Sequence, residues 1–514
     1  MPGGEEVRIG PFIGGLNTLS DQTSIEDFEL VEQTNFELDI DGSLVSRPPI
    51  ATTGITLTLG ASGNMKYLGY FVTTGGAPYL IASDGYTSTY YFNGTAWTLI
   101  TNTISAAAMC QYKDKAWLVA PIGSANPGGT WTPGGGFVAD ANMPKGACII
   151  GHKERVWVGL GKTATSNGTR LYLSDITGGL PTWPASPNFV DIGPGDGQNI
   201  VDLTTYYSDV VIFKQGSTYR YAYDADPSTG SISRISDNIG AADANCFAAY
   251  ENQLYVLFDN KVYQFTNYNY DRLNLKVPLV ADNPAVNLSE YYSISVWSDR
   301  VFVAFYDKLF VYSLRTRTWC EWQSDSLTNI GRMLPIPGQQ GTSPTAYTYS
   351  TVPRANTLYK IIDGVGTPSE DMTCSFLTKN FDYQSPSRFK RLWWWGADVI
   401  SKVGISVEAR PVTYVVSVTW NQLNSGGYTW DALKNAGATW DRLLSPSIVV
   451  ADSVSTAGLS DGRKFIKFLK SLRFRQIAFS VSVDTDGSST TAPVRVFSLI
   501  TKVRDKAGVG QRIS

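Results

Sequence analysis

His152-Lys153-Glu154-Arg155-Val156-Trp157-Val158 joins a polar turn to a run of β-branched and aromatic residues, and this phrase recurs through the middle of the chain. The intervals between successive turn residues are 40, 55, 43, 47 and 57 residues. The turn residues are Asp114, Glu154, Asp209, Asn252, Asp299 and Asn356. Periods near 40 to 50 residues, with several strands per unit, are typical of a propeller. The other copies are Lys113–Val119, Ser208–Phe213, Glu251–Leu257, Ser298–Val303 and a weaker one at Ala355–Ile361.

The repeat predicts an all-β protein built around a β-propeller of six or seven blades, the earliest and least regular of them near Pro78–Ala82 and Tyr90–Phe92. The 48 glycines, 25 prolines and scarcity of helical periodicity also favour all-β classes. Irregular spacing requires only loops of different length. We predict an extended amino-terminal arm over residues 1–50, the propeller over 51–368 and a β-sandwich-like carboxy-terminal domain over 369–514.

The last third of the chain alternates polar and apolar residues in stretches such as Ile477–Val483 and Val494–Ile500, which is typical of sandwich strands. Between such stretches one pentapeptide occurs twice, as Thr429–Leu433 and Thr439–Leu443. Its tryptophans either anchor two turns by packing inward or form an exposed contact surface. The arm, in contrast, is polar and ends in Arg47-Pro48-Pro49, which favours an extended, stiff backbone.

Charge and cysteine usage exclude several classes of protein. A formal net charge of −3 predicts no general attraction to nucleic acid or to anionic membranes. The five cysteines are widely spaced and never form a Cys-x-x-Cys pair, so we expect reduced, buried thiols and no zinc site. Nowhere do 18 apolar residues occur together, and the first 30 residues lack the pattern of an export signal.

Catalytic chemistry has little support in the sequence. The single histidine, His152, has no nucleophile or orienting acid marked beside it, so a turn role is expected. Gly161-Lys162-Thr163 resembles the end of a phosphate loop, but Val156 occupies the position of its first glycine. A sialidase would carry a repeated Ser-x-Asp-x-Gly-x-x-Trp turn, of which only the fragment Ser83-Asp84-Gly85 is present. We predict no enzyme activity, no cofactor and no catalytic residue.

A calcium loop is the one metal site that the sequence suggests. Asp191, Gly193, Gly195 and Asp196 could offer oxygen ligands, although their spacing does not match an EF-hand. A solvated loop is the alternative, and we predict no metal site.

Two aromatic and basic segments are candidates for partner contacts. In a strand, Trp393 and Trp395 would face one side and Trp394 the other, so the strand is either covered on both faces or part of a subunit interface. The segment from Arg463 to Arg475 carries six basic residues and no acidic one. It can meet DNA phosphates, form a solvated face or contact an acidic neighbouring subunit. The predicted interface residues in these segments are Trp393, Trp395, Arg463, Lys467, Arg473 and Arg475.

The amino-terminal region contains Ile13-Gly14-Gly15-Leu16-Asn17, Asp21-Gln22, Asn35 and the stretch from Gly42 to Pro49. This pattern resembles the opening of bacteriophage tail proteins of the tubular or nozzle type, and of minor tail proteins with a β-propeller. Members of that family have a Gly-Gly before an Asn, a Gly-x-Leu-x-x-Arg-Pro-x stretch, a propeller and a terminal β domain. Asn17, Arg47 and Pro48 are therefore added to the predicted interface residues.

The resemblance implies a structural virion protein of a phage tail that is assembled in the bacterial cytoplasm and catalyses no reaction. It also implies partners: copies of itself in a ring of six or three, adjacent tail or adaptor proteins, and tail fibres or spikes. DNA would pass through the lumen only transiently, because phosphate neutralisation by many cations would hold it. A host-glycan-binding adhesin at the tail tip is the alternative function.

Overall fold

The computed structural model consists of β-strands and one short 3-10 helix over the residues that it describes. These residues are 5–57, 65, 67–161, 168–223, 226–241, 244, 246–279, 292–305, 308–324, 333–336, 345–349, 357–362, 371–383, 390–401, 404–412, 450–454, 463–468, 472–474, 476–485 and 494–505. The chain divides into two compact units. One comprises residues 1–47, 313–322 and 365–514, and the other comprises residues 48–312 and 323–364.

The amino-terminal region contains six strands. They are β1 Glu5–Ile9, β2 Gly15–Leu16, β3 Glu29–Thr34, β4 Phe36–Leu38, β5 Leu44–Ser46 and β6 Ile50–Thr56. The first five belong to the first unit and β6 belongs to the second.

The second unit contains seven small antiparallel sheets among its described residues. The first two are β7 Tyr67–Val72, β8 Pro78–Ser83, β9 Thr89–Phe92 and β10 Trp97–Thr101, then β11 Ala108–Tyr112, β12 Lys115–Val119, β13 Gly129–Thr132 and β14 Gly136–Ala139. The third is β15 Cys148–His152, β16 Arg155–Gly159, β17 Arg170–Leu173 and β20 Asn188–Asp191, with an inserted hairpin of β18 Asp175–Thr177 and β19 Leu180–Thr182.

The remaining sheets follow in chain order. The fourth is β21 Ile200–Tyr206, β22 Asp209–Lys214, β23 Thr218–Ala222 and β24 Ser231–Ser236, with the 3-10 helix Pro227–Thr229 before β24. The fifth is β25 Phe247–Tyr250, β26 Gln253–Phe258, β27 Lys261–Thr266 and β28 Asn269–Arg272. The sixth contains β29 Tyr292–Trp297, β30 Arg300–Phe305 and β31 Lys308–Ser313, and the seventh contains β33 Leu334–Ile336, β34 Thr345–Tyr349, β35 Thr357–Ile362 and β6.

The seven sheets are the blades of a closed propeller. First strands of successive blades contact one another at β7 and β11, β11 and β15, β15 and β21, β25 and β29, and β29 and β33, while β33 contacts β7 to close the ring. Between the fourth and fifth blades, Phe213 stacks on Phe247 with ring centroids 5.2 Å apart. In the last blade the early strand β6 pairs antiparallel with the late strand β35. The predicted all-β propeller is confirmed, with seven blades.

The five clear copies of the recurrent phrase form the first hairpin of their blades, whereas residues 357–361 of the weaker copy lie in β35, the third strand of the last blade. Both turn residues in Lys153-Glu154 have positive φ, 45° and 65°, as do both residues of Ser298-Asp299, with 50° and 58°. Two left-handed residues give the tight hairpin whose twist matches that of the flanking strands. The following second strand is buried continuously, as at Val156–Val158, because neighbouring blades cover both of its faces.

The other unit is a sandwich of two sheets. One sheet has the strand order β4-β5-β43-β37-β40, in which β1 also pairs with β43 and β41 with β37. Within this unit the other sheet has the strand order β32-β3-β36-β42-β38-β39, in which β2 also pairs with β3. Side chains of both sheets, such as Leu392, Trp395, Phe376 and Val481, share one core. The additional strands are β32 Trp319–Trp322, β36 Met372–Thr378, β37 Lys390–Ile400, β38 Ile405–Val412, β39 Val450–Val454, β40 Lys464–Phe468, β41 Leu472–Phe474, β42 Gln476–Thr485 and β43 Arg495–Asp505.

The amino-terminal segment is part of this sandwich, which differs from the predicted arm. Strand β1 pairs antiparallel with β43, and β3 pairs antiparallel with β36. Phe12 and Phe36 are fully buried and both lie within 6 Å of Phe376, at 5.2 and 5.8 Å between ring centroids. The apolar residues that are thinly spread through the polar sequence therefore fill a core whose other half comes from the end of the chain.

Candidate interaction surface

The side of the β1-β43-β37-β40 sheet that faces away from the core gathers cations and aromatic rings. Cross-strand pairing aligns Arg8 with Ile500, Gly396 and Lys467 in one row, Asp398 with Phe465 in the next, and Glu6 with Lys502 and Trp394 in a third. Gly396 leaves room for the Phe465 ring, because a Cβ atom at this glycine would lie 2.5 Å from Phe465 Cζ. We call this surface, formed by Glu6, Arg8, Trp394, Asp398, Arg463, Phe465, Lys467 and Lys502, the outer face.

Charged contacts hold the outer face in a defined arrangement. Arg463 donates two hydrogen bonds to the Asp398 carboxylate, at 2.8 and 2.5 Å, and its guanidinium lies 4.0 Å from the centroid of Phe497. Lys467 Nζ lies 4.2 Å from the centroid of Trp394. Phe465 is 43% exposed. Aromatic residues and arginines are enriched at protein interfaces, and the outer face contains both.

The three tryptophans of β37 do not alternate as predicted. The pairing register shifts between Leu392 and Trp394, which places a bulge at Trp393. Trp395 is 1% exposed and belongs to the sandwich core, whereas Trp393 is 42% exposed. The predicted interface role is thus corrected for Trp395, and Trp393 is accessible.

The other predicted contact residues lie in different parts of the sandwich unit or outside the described residues. Arg463 and Lys467 lie together on the outer face and are both exposed. Arg473 lies in β41, opposite Arg391 of β37, and Arg475 lies outside the described residues. The pentapeptides at 429–433 and 439–443 and the weaker turn at Asn356 also lie outside them.

The family-pattern residues Asn17 and Arg47 are internal. Asn17 is 5% exposed and its side-chain amide donates to Glu29 Oε2 at 2.9 Å. Arg47 is 2% exposed and donates from Nε to Asn35 Oδ1 at 2.7 Å. These two residues join parts of the sandwich, which corrects their predicted role as partner contacts, and Pro48 is half-buried.

His152 makes one of a series of equivalent hydrogen bonds that join neighbouring blades. In three successive blades, the last residue of the first strand bonds to the first turn of the next blade. The bonds join His152 Nε2 to the Ser208 carbonyl at 3.0 Å, the Tyr206 hydroxyl to the Asn252 carbonyl at 3.1 Å, and the Tyr250 hydroxyl to Asp299 Oδ1 at 2.5 Å. The histidine therefore occupies a structural repeat position that two tyrosines fill elsewhere, and Nε2 carries the hydrogen.

This position makes stability depend on pH. Burial lowers the pKa of His152 from its ordinary value of 6.5, and the bond to Ser208 opposes that shift only in part. Because the unfolded chain then binds the proton more readily, the stability from the neutral ring is complete above the ordinary pKa and is lost as pH falls through the lowered one. We expect the urea midpoint of the wild type to fall more than that of His152→Gln between about pH 7.5 and about pH 5.5.

Since the chain has one histidine, the difference between the two proteins isolates this side chain. Equal midpoint shifts in wild type and His152→Gln would contradict the assignment.

In the glycine-rich loop that resembled a calcium site, oxygen atoms accept hydrogen bonds from a lysine. Lys214 is fully buried, and its Nζ donates to both Asp196 carboxylate oxygens at 2.6 and 2.8 Å and to the Ile192 carbonyl at 2.9 Å. The Tyr219 hydroxyl donates to Asp196 Oδ2 at 3.1 Å. The Asp196 carboxylate is thus used within the blade. The sequence does not predict this ion pair, because Lys214 directly follows the apolar run Val210–Phe213 and carries no motif that marks its partner.

Neither a metal-binding cluster nor a membrane-spanning helix is found among the residues that the structure describes. Over these residues no group of three or more His, Cys, Asp or Glu side chains can hold a metal ion. Over the same part of the chain, no helix is long and apolar enough to cross a membrane. Four of the five cysteines are buried and all are free.

Comparison with known proteins returned only solved structures. No protein-family model and no curated protein matches the chain. The extracellular domain of BT4673 from B. thetaiotaomicron is similar over 67% of this chain and 43% of its own, at 11% identity and a TM-score of 0.43. The Pan2 WD40 domain of Neurospora crassa matches 62% of this chain and 96% of its own, at 9% identity and a TM-score of 0.43. BBS1N in complex with ARL6DN covers 62% and 98%, at 11% identity and a TM-score of 0.41.

Proposed function

We propose that the protein is a structural component of a bacteriophage tail, a nozzle, tail-tube or tail-tip protein that forms a ring around the tail axis. The observation that carries the proposal is the outer face, an ordered and exposed group of aromatic and cationic side chains suited to a protein partner. The resemblance of the amino-terminal pattern supports the assignment to a tail. In this role the chain catalyses nothing, needs no cofactor and acts by geometry.

The ring would surround a passage for DNA and support host attachment through adjacent tail or adaptor proteins and fibres or spikes. Contacts between different surfaces of identical subunits repeat until the ring closes. Six or three copies are proposed, with the virion tail as the location and the bacterial cytoplasm as the place of assembly.

The full-length chain is expected to assemble into closed rings, because a structural tail protein functions only as a symmetric multimer. Native mass spectrometry and electron microscopy of the purified protein measure the copy number, and labelled antibodies locate the chain on particles. A chain that stays monomeric at all concentrations and is absent from virions would refute the function.

A glycan-binding adhesin is the second candidate, favoured by the exposure of Trp393 at 42% and Phe465 at 43%. Exposed aromatic rings can stack on sugars. Binding of the purified chain to host cell-wall polysaccharide, lost in Trp393→Ala but kept in the wild type, would favour this function over a purely structural one.

A further inference from the structure

The sandwich unit carries a second exposed surface with the opposite charge to the outer face. The segment of residues 18–28, which we call the acidic loop, contains Asp21, Glu26 and Asp27, all exposed. Leu19 and Phe28, at 64% and 38% exposure, add apolar area to it. Such an acidic surface with exposed apolar side chains is complementary in charge to the cationic and aromatic outer face.

Internal bonds hold the acidic loop in one shape. The Ser24 amide donates to the Asp21 carbonyl at 2.9 Å, and Lys379 Nζ donates to the Ile25 carbonyl at 2.8 Å. The Asn380 amide donates to the Gln22 carbonyl at 3.2 Å. A segment that is already ordered loses little conformational freedom on binding.

The charges of the two surfaces are balanced. The outer face has four cations, Arg8, Arg463, Lys467 and Lys502, against the carboxylates of Glu6 and Asp398. The acidic loop has three carboxylates, and the neighbouring Lys379 pairs with one of them, Asp27, at 2.6 Å. Each surface therefore keeps an excess of two charges, opposite in sign.

Within one chain a cleft separates these surfaces. The cleft measures about 480 Å³ and has Arg8 on its lining together with Asp27 and Phe28. Arg8 pairs with Asp398 at 4.0 Å, and Asp27 pairs with Lys379 beside the acidic loop, so Arg8 and Asp27 each have a different partner although both line the cleft. The excess charge on each surface stays exposed.

We propose that the acidic loop of one copy docks on the outer face of a second copy of this chain. The inference rests on the proposed function, since the contact joins neighbouring subunits of the same assembly. Leu19 and Phe28 meet Trp394 and Phe465 at the centre, and Glu26 lies against Lys467 at the rim. Two different surfaces of one chain joined in this way form a heterologous contact.

Charge exchange tests the contact in the full-length protein. Lys467→Glu and Glu26→Lys each place like charges together, and each is expected to weaken self-association by about tenfold or more in sedimentation. The double variant restores opposite charges in every contact and is expected to return to within about threefold of the wild type. The control for Glu26→Lys is Glu32→Lys, which changes the net charge by the same amount on an exposed residue of β3. It is expected to leave association unchanged.

The outcomes separate this contact from the function on which it rests. Rings that form equally well in both single variants, or a double variant that stays as weak as either single one, overturn the contact and leave the tail function standing. A wild-type chain that does not self-associate overturns the contact, and its absence from virions as well would overturn the tail function.

Discussion

Replacing Lys214 by methionine is expected to lower the free energy of unfolding of the propeller by about 3 to 5 kcal/mol. The side chain of Lys214 is 0% exposed and that of Asp196 is 11% exposed, so removal of the amine leaves a carboxylate in a site with little access to water. The Ile192 and Gly193 carbonyls lose the same donor. The loss is large because the partners cannot exchange the amine for solvent.

Urea denaturation followed by tryptophan fluorescence measures the change. Lys261→Met is the matched control, because Lys261 pairs with Asp259 at 2.5 Å on the surface, where the side chains are 34% and 67% exposed. Such exposed pairs are screened by solvent and contribute little to stability. The double variant Lys214→Met with Asp196→Leu recovers part of the loss, since no buried charge is left. Equal costs for Lys214→Met and Lys261→Met would refute the role given to the buried pair.

Trp395→Ala is expected to destabilise the sandwich unit by about 3 to 5 kcal/mol, whereas Trp393→Ala costs about 0.5 kcal/mol or less. The two residues are two positions apart in the same strand, but Trp395 is 1% exposed and Trp393 is 42% exposed. Truncation of Trp395 leaves a cavity beside residues from both sheets, while truncation of Trp393 removes only surface contacts.

Thermal and urea unfolding of the two variants gives the comparison directly, because both changes delete the same indole. Self-association supplies a second measurement, because Trp393 is exposed and its predicted partner contact can be tested in Trp393→Ala without a large change in stability. Similar losses of stability in both variants would show that the bulge does not separate their environments.

The sequence predicts most of the propeller because its signal is local. A turn such as Lys153-Glu154 and the apolar run after it lie within a few residues of each other, and each blade repeats the pair. The exact number of blades, seven, was harder to predict. The first blade has an irregular sequence, and the last blade is completed by β6, whose partner β35 lies about 300 residues away in the chain.

The sandwich was harder to predict because its pairings are distant. The Ser46 hydroxyl accepts a hydrogen bond from the Val494 amide at 3.0 Å, and no short-range pattern marks such a pair. The bulge at Trp393 also reverses the face that a strict alternation assigns to its neighbours.

The amino-terminal glycines show what the family-like pattern encodes. Gly15 has φ of +63°, and a Cβ atom there would lie 2.5 Å from Thr318 Cβ. With Asn17 and Arg47 buried beside other parts of the sandwich, the pattern specifies close packing inside the subunit. The candidate surface lies in another part of the sandwich, where the sequence marks Arg463 and Lys467 only by their charge.

The pairing of β6 with β35 and of β1 with β43 has a consequence for synthesis on the ribosome. Strands β1 and β6 are edge strands whose partners, β43 and β35, are translated much later, so neither unit can be completed by the nascent chain until these late strands have left the exit tunnel. Premature termination before β43 would release a polypeptide in which the edge of β1 is unpaired, a substrate for proteases and chaperones.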